Sequence, residues 1–239
     1  AEQHRQIAER MVRNFPEIFK GKTHVDAKST VVIRCILSME NALQQLVRMN
    51  PNLEITHDAS YHDMYYMNHN DTSLFKQRMP KAAREAFDNF SKRHIHPERL
   101  MNDLFNDSTY WQKEINFKQL YSTLFKQASN VQSTELRHEL SLFNLFTDKE
   151  LYDLWTTNNA WWYINYGPSP LNGGQQPTSQ RFLLRKIVSE ADSCLMLNHP
   201  SVTLRYGHDT MVMPLTCLLD LDGMGVQVAD LEQVTMKGW

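Results

Sequence analysis

The chain has 239 residues, of which 41% are hydrophobic and 22% charged, and its formal net charge at pH 7 is −2. This composition is typical of a globular protein built as one large domain, or as one domain with a sizeable insertion. A charge so close to zero gives no general attraction to nucleic acid or to an anionic membrane surface, and no apolar run reaches membrane-spanning length.

The first predicted element is an amphipathic helix. Ile7, Met11, Phe15 and Phe19 follow one another at one-turn spacing, which is the pattern of a helix with one buried face rather than of a signal peptide. Because the opening residues already belong to a structural element, we expect the chain to be a fragment of a longer protein.

The long central stretch is predicted to be helical. No glycine occurs between residues 22 and 166, and prolines in that stretch occur only at 51, 80 and 97. Tight turns of β-structures normally need glycine, so few are expected here. An apolar stripe from Val32 to Val47 predicts a helix capped by Ser29 or Thr30. Further helices are predicted at about 80–92, 97–106, 114–129, 133–146 and 148–165.

The C-terminal part changes in character. The segment "YGPSPLNGGQQPTSQ" (166–180) is typical of a loop, and a helix is predicted at about 179–196. Val202, Leu204 and Tyr206 alternate with polar residues as in a strand. A helix should follow, with Asp209 or Thr210 as its cap, and then a turn, "DLDGMG", and a second strand, "VQVADL". These patterns confine the predicted strands to the last quarter of the chain.

His208 and Asp209 therefore lie at a strand–turn–helix junction. Ligands of open α/β sheets gather at such places, beyond the carboxyl ends of strands and at the positive ends of helices. The alternative is that Asp209 only caps the helix and His208 is a polar turn residue. The junction by itself leaves both interpretations open.

Other polar and aromatic clusters have simpler explanations. The histidines and aspartates of "THDASYHDMYYMNHND" (56–71) lack metal-site spacing and favour a polar connecting segment, and "HIH" (94–96) favours a helix end. The aromatic residues of "WTTNNAWWYINY" (155–166) favour a packed helix face over a binding platform.

Residues 71–100 carry seven Lys or Arg against four acids. Cys35, Cys194 and Cys217 are compatible with three thiols or with one disulfide and one thiol.

Two segments together resemble a known family. "RYGHDT" (205–210) resembles the C-terminal active-site motif of the histidine acid phosphatases, branch two of the histidine phosphatase superfamily. "STVVIRCILSMENAL" (29–43) resembles the second conserved block of that family, with Arg34 and Ser38 at its arginine and serine positions. "DMYYMN" and "NNAWWYINYGPSPLNGG" add a likeness to the bacterial multiple inositol polyphosphate phosphatases.

The resemblance implies an α/β fold, namely a three-layer phosphoglycerate-mutase-like core, incomplete here, with a large α-helical cap. Residues 1–50 and 179–239 would belong to the core and residues 51–178 to the cap. The implied reaction is phosphomonoester hydrolysis of inositol polyphosphates such as phytate, through a phosphohistidine, without metal or organic cofactor. Relatives of this kind imply a periplasmic, secreted or outer-membrane-associated protein.

The resemblance also implies a role for each motif residue. Arg34 would clamp the phosphate with its planar guanidinium, and His208 and Thr210 would add further contacts to the same group. Asp209 would protonate the leaving alcohol oxygen and then help to activate water. The basic excess of residues 71–100 would face the remaining phosphates of the substrate.

One family motif is missing. RHGxRxP, which supplies the nucleophilic histidine and two further arginines, occurs nowhere in the 239 residues. We expect a fragment that is inactive alone; the missing segment could instead be a separate chain that pairs with this one. Two other functions stay open: a non-catalytic relative that binds phosphate or another polyanion, and an acid phosphatase for sugar phosphates.

Overall fold

A computed structural model of the chain describes residues 1–67 and 71–235. Its sheet has three parallel strands, β1 (His24–Ser29), β2 (Glu54–Asp58) and β3 (Ser201–Tyr206), in the order β2-β1-β3. Helices make up most of the remaining structure. The predicted α/β class, a small sheet joined to an extensive helical region, is therefore confirmed.

Within the described residues the α-helices are as follows: α1 (Glu2–Asn14), α2 (Ile33–Met49), α3 (Thr72–Phe75), α4 (Lys81–His94), α5 (Glu98–Leu104), α6 (Ser108–Glu114), α7 (Phe117–Val131), α8 (Asp148–Tyr166), α9 (Arg181–Leu195) and α10 (Asp209–Leu218). The predicted helices near 32–47, 80–92, 97–106, 114–129, 148–165 and 179–196 are present, with ends shifted by a few residues. The first predicted helix is also present, but it ends at Asn14, so Phe15 and Phe19 lie beyond it. The helix end predicted at "HIH" is also present, because α4 ends at His94.

The strands were incompletely predicted, because β1 and β2 lie far from the C-terminal part to which the sequence confined them. β2 (EITHD) has one partly buried apolar residue, Ile55, and so lacks an alternating hydrophobic pattern. In β1 every second residue is buried, but these residues, Val25, Ala27 and Ser29, are small or polar, so the strand has no marked hydrophobic pattern. β3 has the predicted facing: Val202, Leu204 and Tyr206 pack against the buried cluster that Val25 and Ala27 share with α1 and α2.

Two predictions for irregular segments were wrong. Residues 133–146 form two short 3₁₀ turns, Glu135–His138 and Phe143–Leu145, instead of one helix. The segment "VQVADL" does not form a strand, and at Val228 a side chain takes the place of a neighbouring strand. The Tyr163 hydroxyl donates to the Val228 carbonyl at 3.0 Å and accepts from the Val228 amide at 2.6 Å.

The chain forms two compact units. Among the described residues, the first comprises Ala1–Lys76, Tyr166–Pro168 and Gln175–Val226, and it contains the sheet. The second comprises Gln77–Asn165, Ser169–Gly174 and the residues from Gln227 onward, and it is helical. The division into phosphatase core and cap at residues 50 and 178 stays a prediction. No helix in the described ranges is both long and apolar enough to cross a membrane.

Ion pairs support each unit separately. In the first, Asp71 accepts hydrogen bonds from Ser73 and from Arg181 (2.9 Å). Burial acts to raise the pKa of Asp71, but these hydrogen bonds and the Arg181 charge outweigh it and lower the pKa. In the second, a hydrogen bond from Arg93 is the main cause of the lowered pKa of Glu232.

Candidate functional site

The ends of two neighbouring strands bring distant parts of the sequence together. β1 and β3 run parallel with Ser29 opposite Tyr206, and the Thr30 amide donates to the Tyr206 carbonyl at 3.0 Å. Thr30 and Gly207, the residues that follow the two strands, therefore lie at the same edge of the sheet. α2 and α10 begin within a few residues of that edge, so their positive N-termini lie close to the strand ends.

His208 is held at both of its ring nitrogens. The imidazole is 8% exposed, with Nδ1 3.0 Å from Arg34 Nη2 and Nε2 3.1 Å from Thr30 Oγ1. A guanidinium can only donate, so Nδ1 must accept that hydrogen bond and the ring proton must lie on Nε2. Nε2 then donates to the hydroxyl oxygen of Thr30, which is completely buried. This arrangement describes a neutral imidazole in one fixed orientation.

Arg34 is a cation at the positive end of a helix. It is the second residue of α2, its side chain is exposed, and no carboxylate in the described ranges pairs with it. The first turn of α2 also contains no acidic residue. A cation at a helix N-terminus is unfavourable by about 0.3–1 kcal/mol, and a bound anion would offset this cost. Arg34 and the helix end together form a site of positive potential.

Cys35 and Gly207 hold the turn in front of His208. The buried Cys35 thiol donates to the Gly207 carbonyl at 3.2 Å, and its sulfur lies 3.9 Å from each ring nitrogen of His208. A side chain at residue 207 would be crowded, since a Cβ there would lie 2.9 Å from Met211 Sδ. The thiol contact and the missing side chain therefore let the turn pack closely over α2 and α10.

Asp209 and Thr210 begin helix α10. The N-cap position belongs to His208, so the prediction that Asp209 or Thr210 caps this helix was wrong by one or two residues. Asp209 is exposed, and its Oδ1 accepts from the Thr210 amide at 2.8 Å. Its carboxylate is therefore beside His208 in the chain and accessible to solvent. Thr210 is half-buried.

Ser38 forms a local hydrogen bond within α2, and the N-cap of this helix differs from the predicted one. The Ser38 hydroxyl donates back to the Arg34 carbonyl at 2.9 Å, which is an ordinary intrahelical contact. The N-cap of α2 is Val32, so the prediction that Ser29 or Thr30 caps this helix was wrong. The Ser29 hydroxyl donates to the Thr30 carbonyl at 2.8 Å, and the Thr30 hydroxyl oxygen accepts from His208 Nε2.

Arg205, the first residue of the "RYGHDT" motif, is bound to carboxylates and carbonyls of neighbouring elements. Its guanidinium lies 2.9 Å from Asp26 Oδ2 and 2.6 Å from Glu190 Oε1, and it also donates to the carbonyls of Asp26 and Leu204. Burial acts to lower the pKa of Arg205, but the hydrogen bond and charge of Glu190 outweigh it and raise the pKa. Arg205 thus ties β3 to β1 and to α9. Beside it, burial raises the pKa of Tyr206 to about 12.

His57 and Asp63 of the segment 56–71 each contact a charged group outside that segment. His57 Nδ1 lies 2.6 Å from Glu40 Oε1, and the buried Asp63 pairs with Lys28 at 3.4 Å. His69 of the same segment lies outside the described residues. Within the described ranges, no group of three or more His, Cys, Asp or Glu is placed to hold a metal ion. The three cysteines are all free thiols.

Sequence patterns did not identify two residues of this cluster. Thr30 was assigned to helix capping and Cys35 to an apolar helix face, yet both contact the His208 ring. Thr30 could have been found from the parallel pairing of β1 with β3, because that register aligns the residues after both strands. Recognising β1 as a strand would have been the necessary first step.

Comparisons with known proteins identify the fold. No family model matches the chain, and no curated protein matches it in sequence. Two solved structures of the multiple inositol polyphosphate phosphatase of Bifidobacterium longum are similar in fold. The complex with inositol hexasulfate has a TM-score of 0.69 and 14% identity over 95% of this chain. The apo form has a TM-score of 0.57 and 15% identity over 99% of it. The chain spans 63% of the length of each.

Proposed function

We propose that this chain is the greater part of a histidine phosphatase that hydrolyses phosphomonoesters of inositol polyphosphates. The observation that carries the proposal is the contact between Arg34 and His208 at the carboxyl ends of adjacent parallel strands. Both side chains can donate hydrogen bonds to a phosphate, and the N-termini of α2 and α10 add positive potential at the same edge. The fold shared with an inositol polyphosphate phosphatase supports the choice of substrate.

Each motif residue has a proposed role in the reaction. Arg34 binds two phosphate oxygens through its guanidinium. His208 takes up a proton from solvent on Nδ1, which no longer accepts from Arg34, and donates it in a hydrogen bond to the phosphate. Thr30 fixes the imidazole from the opposite side, and Thr210 contributes at the start of α10. Arg34 and His208 together neutralise the charge on the non-bridging oxygens, which is the main task in phosphoryl transfer.

Asp209 is the proposed general acid. A histidine nucleophile attacks phosphorus, the bond to the ester oxygen breaks, and Asp209 gives its proton to that leaving oxygen. In the second step the Asp209 carboxylate takes a proton from water, which cleaves the phosphohistidine and releases phosphate. The exposed position of Asp209 at the start of α10 suits exchange of its proton with substrate and water.

The nucleophilic histidine is proposed to come from outside residues 1–239. The absence of an RHG sequence and the 63% coverage of the neighbouring structures support this view. It can be supplied by a longer form of the same polypeptide or by a separate chain. Export to the periplasm or beyond is a further proposal, which rests on the family resemblance alone.

The test uses a protein that includes the segment carrying the nucleophile, with inositol hexakisphosphate as substrate and phosphate release as the readout. Asp209→Asn should lower kcat by about 10²–10⁴-fold, the usual contribution of a general acid, with little change in binding. Asp148→Asn is the matched control, because Asp148 is also an exposed first residue of a helix, α8. Equal kcat values for the two variants would refute the acid role.

A binding protein without catalysis is the second candidate, favoured by the absence of the nucleophile motif from this sequence. It predicts that inositol hexakisphosphate binds and that no phosphate is released, even when every natural neighbouring segment is present. A panel of sugar phosphates tested with the same protein distinguishes an inositol polyphosphate phosphatase from a general acid phosphatase. Faster turnover of the sugar phosphates would contradict the proposed substrate.

A further inference from the structure

A cavity of about 510 Å³ opens among helices α4, α7 and α8 of the second unit. All of its lining residues fall within Gln77–Asn165, so none comes from the unit that contains Arg34 and His208. The volume is in the range of pockets that hold drug-sized molecules, about 300–1,000 Å³. The proposed phosphatase reaction assigns no role to it.

The walls of the cavity are largely aromatic. Phe87 comes from α4, Phe125 from α7, and Trp161 and Trp162 from α8. The two indole rings meet edge to face with their centroids 5.2 Å apart, and Trp161 keeps 37% of its surface exposed. Flat aromatic molecules can pack against such walls by stacking or edge contacts.

Lysines give the cavity a positive charge. Lys118 and Lys126 are two turns apart on α7, with Ser122 between them, and Lys92 faces the cavity from α4. No lining residue is acidic, and none of the three lysines pairs with a carboxylate of the described residues. Lys149 in the same unit, by contrast, is paired with Asp153 at 2.6 Å. The three unpaired lysines thus provide the charge complementary to an anionic group.

We propose that this cavity binds an aromatic organic anion, with a planar ring system against Trp161, Trp162 and Phe125 and a carboxylate or sulfonate group at Lys118 and Lys126. The ring covers the exposed indole surface, and the anion neutralises the lysines without displacing any existing ion pair. A highly phosphorylated inositol presents no apolar surface to these walls. The site is therefore separate in chemistry from the proposed phosphatase site, and it stands whether or not that proposal holds.

The test is a titration of the 239-residue chain with 1-anilinonaphthalene-8-sulfonate, an aromatic sulfonate. Excitation of tryptophan reports binding near Trp161 and Trp162 through quenching and transfer of energy to the dye. Lys118→Met with Lys126→Met removes the charge but keeps the aliphatic stems, and Lys113→Met is the control on α6. Ser122→Phe fills the cavity, and Ser129→Phe is its control on an exposed part of α7. Circular dichroism establishes that each variant is folded.

We expect the parent chain to bind one dye molecule, the double lysine variant to bind about fivefold more weakly, and Ser122→Phe to lose binding. Lys113→Met and Ser129→Phe should bind as the parent does. Equal affinity in the double lysine variant or in Ser122→Phe would overturn the proposal. Displacement of the dye by inositol hexakisphosphate would also overturn it, since the cavity would then belong to a polyphosphate site. Because the titration measures dye binding and not phosphate release, its outcome does not depend on whether the protein is a phosphatase.

Discussion

Replacement of Arg205 by methionine should destabilise the sheet unit strongly. The guanidinium is 12% exposed and bonds to Asp26 and Glu190, whose side chains are 26% and 17% exposed. Without it, two poorly hydrated carboxylates would face each other, and the cation left beside them would be Lys186, 3.5 Å from Glu190. Removing one partner from a fully buried ion pair costs about 3–5 kcal/mol, and the partial exposure of these groups reduces our expectation to about 2–4 kcal/mol.

The assay must report on the unit that contains Arg205. Four of the five tryptophans, at positions 111, 155, 161 and 162, lie in the other unit, so tryptophan fluorescence is unsuitable. Hydrogen exchange of the amides in β1 and β3, together with urea unfolding followed by circular dichroism, measures the stability of the sheet itself. Arg48→Met is the control, because Arg48 is exposed in the last turn of α2 and forms no ion pair with a described carboxylate.

Neutralising one of the two carboxylates should restore part of the loss. Glu190→Gln in the Arg205→Met background removes the repulsion between Glu190 and Asp26, so the double variant should be more stable than Arg205→Met alone. A free energy of unfolding for Arg205→Met within about 0.5 kcal/mol of the parent would refute the structural role of this residue. Equal losses for Arg205→Met and Arg48→Met would refute the distinction between the two arginines.

Three further predictions concern the site and its surroundings. Thr30→Val removes the hydrogen bond to His208 and should cost about 1–2 kcal/mol in urea unfolding and weaken phosphate binding, whereas Thr30→Ser should retain both properties. Gly207→Ala should force Met211 to move and lower stability by about 1 kcal/mol; unchanged unfolding would show that the turn has room for a side chain. The lowered pKa of Asp71 means that its ionised form stabilises the fold above the usual aspartate pKa of about 4, and that this contribution is lost as the pH falls through the lowered value. Asp71→Asn should therefore flatten the acid side of the stability profile, and an unchanged profile would contradict the pairing.

The predictable parts of the fold were those with a strong hydrophobic period. The apolar stripe of α2 and the alternation of β3 are both present as expected, because each element buries one continuous face. β1 and β2 were missed since the buried residues of β1 are small and β2 has almost no buried face. The segment 226–231 has a strand-like sequence, but Tyr163 satisfies the backbone of Val228 in place of a neighbouring strand.

The site was predictable where a motif marks it and obscure where only the sheet assembles it. Arg34 and His208 were selected from two segments 174 residues apart, and their side chains are in contact. The part played by Thr30 depends on the register of β1 against β3, which no local pattern contains. The structural environment of Arg205 likewise depends on Asp26 and Glu190, which come from two other elements.

The proposed function depends above all on phosphate binding by Arg34. Calorimetric titration of inositol hexakisphosphate into the chain, into Arg34→Met and into Arg48→Met measures it, with Arg48 as an exposed arginine at the other end of α2. Loss of charge-assisted hydrogen bonds should weaken binding by about 10–100-fold in Arg34→Met and leave Arg48→Met close to the parent. Equal affinity in Arg34→Met and the parent chain, or no binding by the parent chain, would contradict a phosphate site at Arg34 and His208.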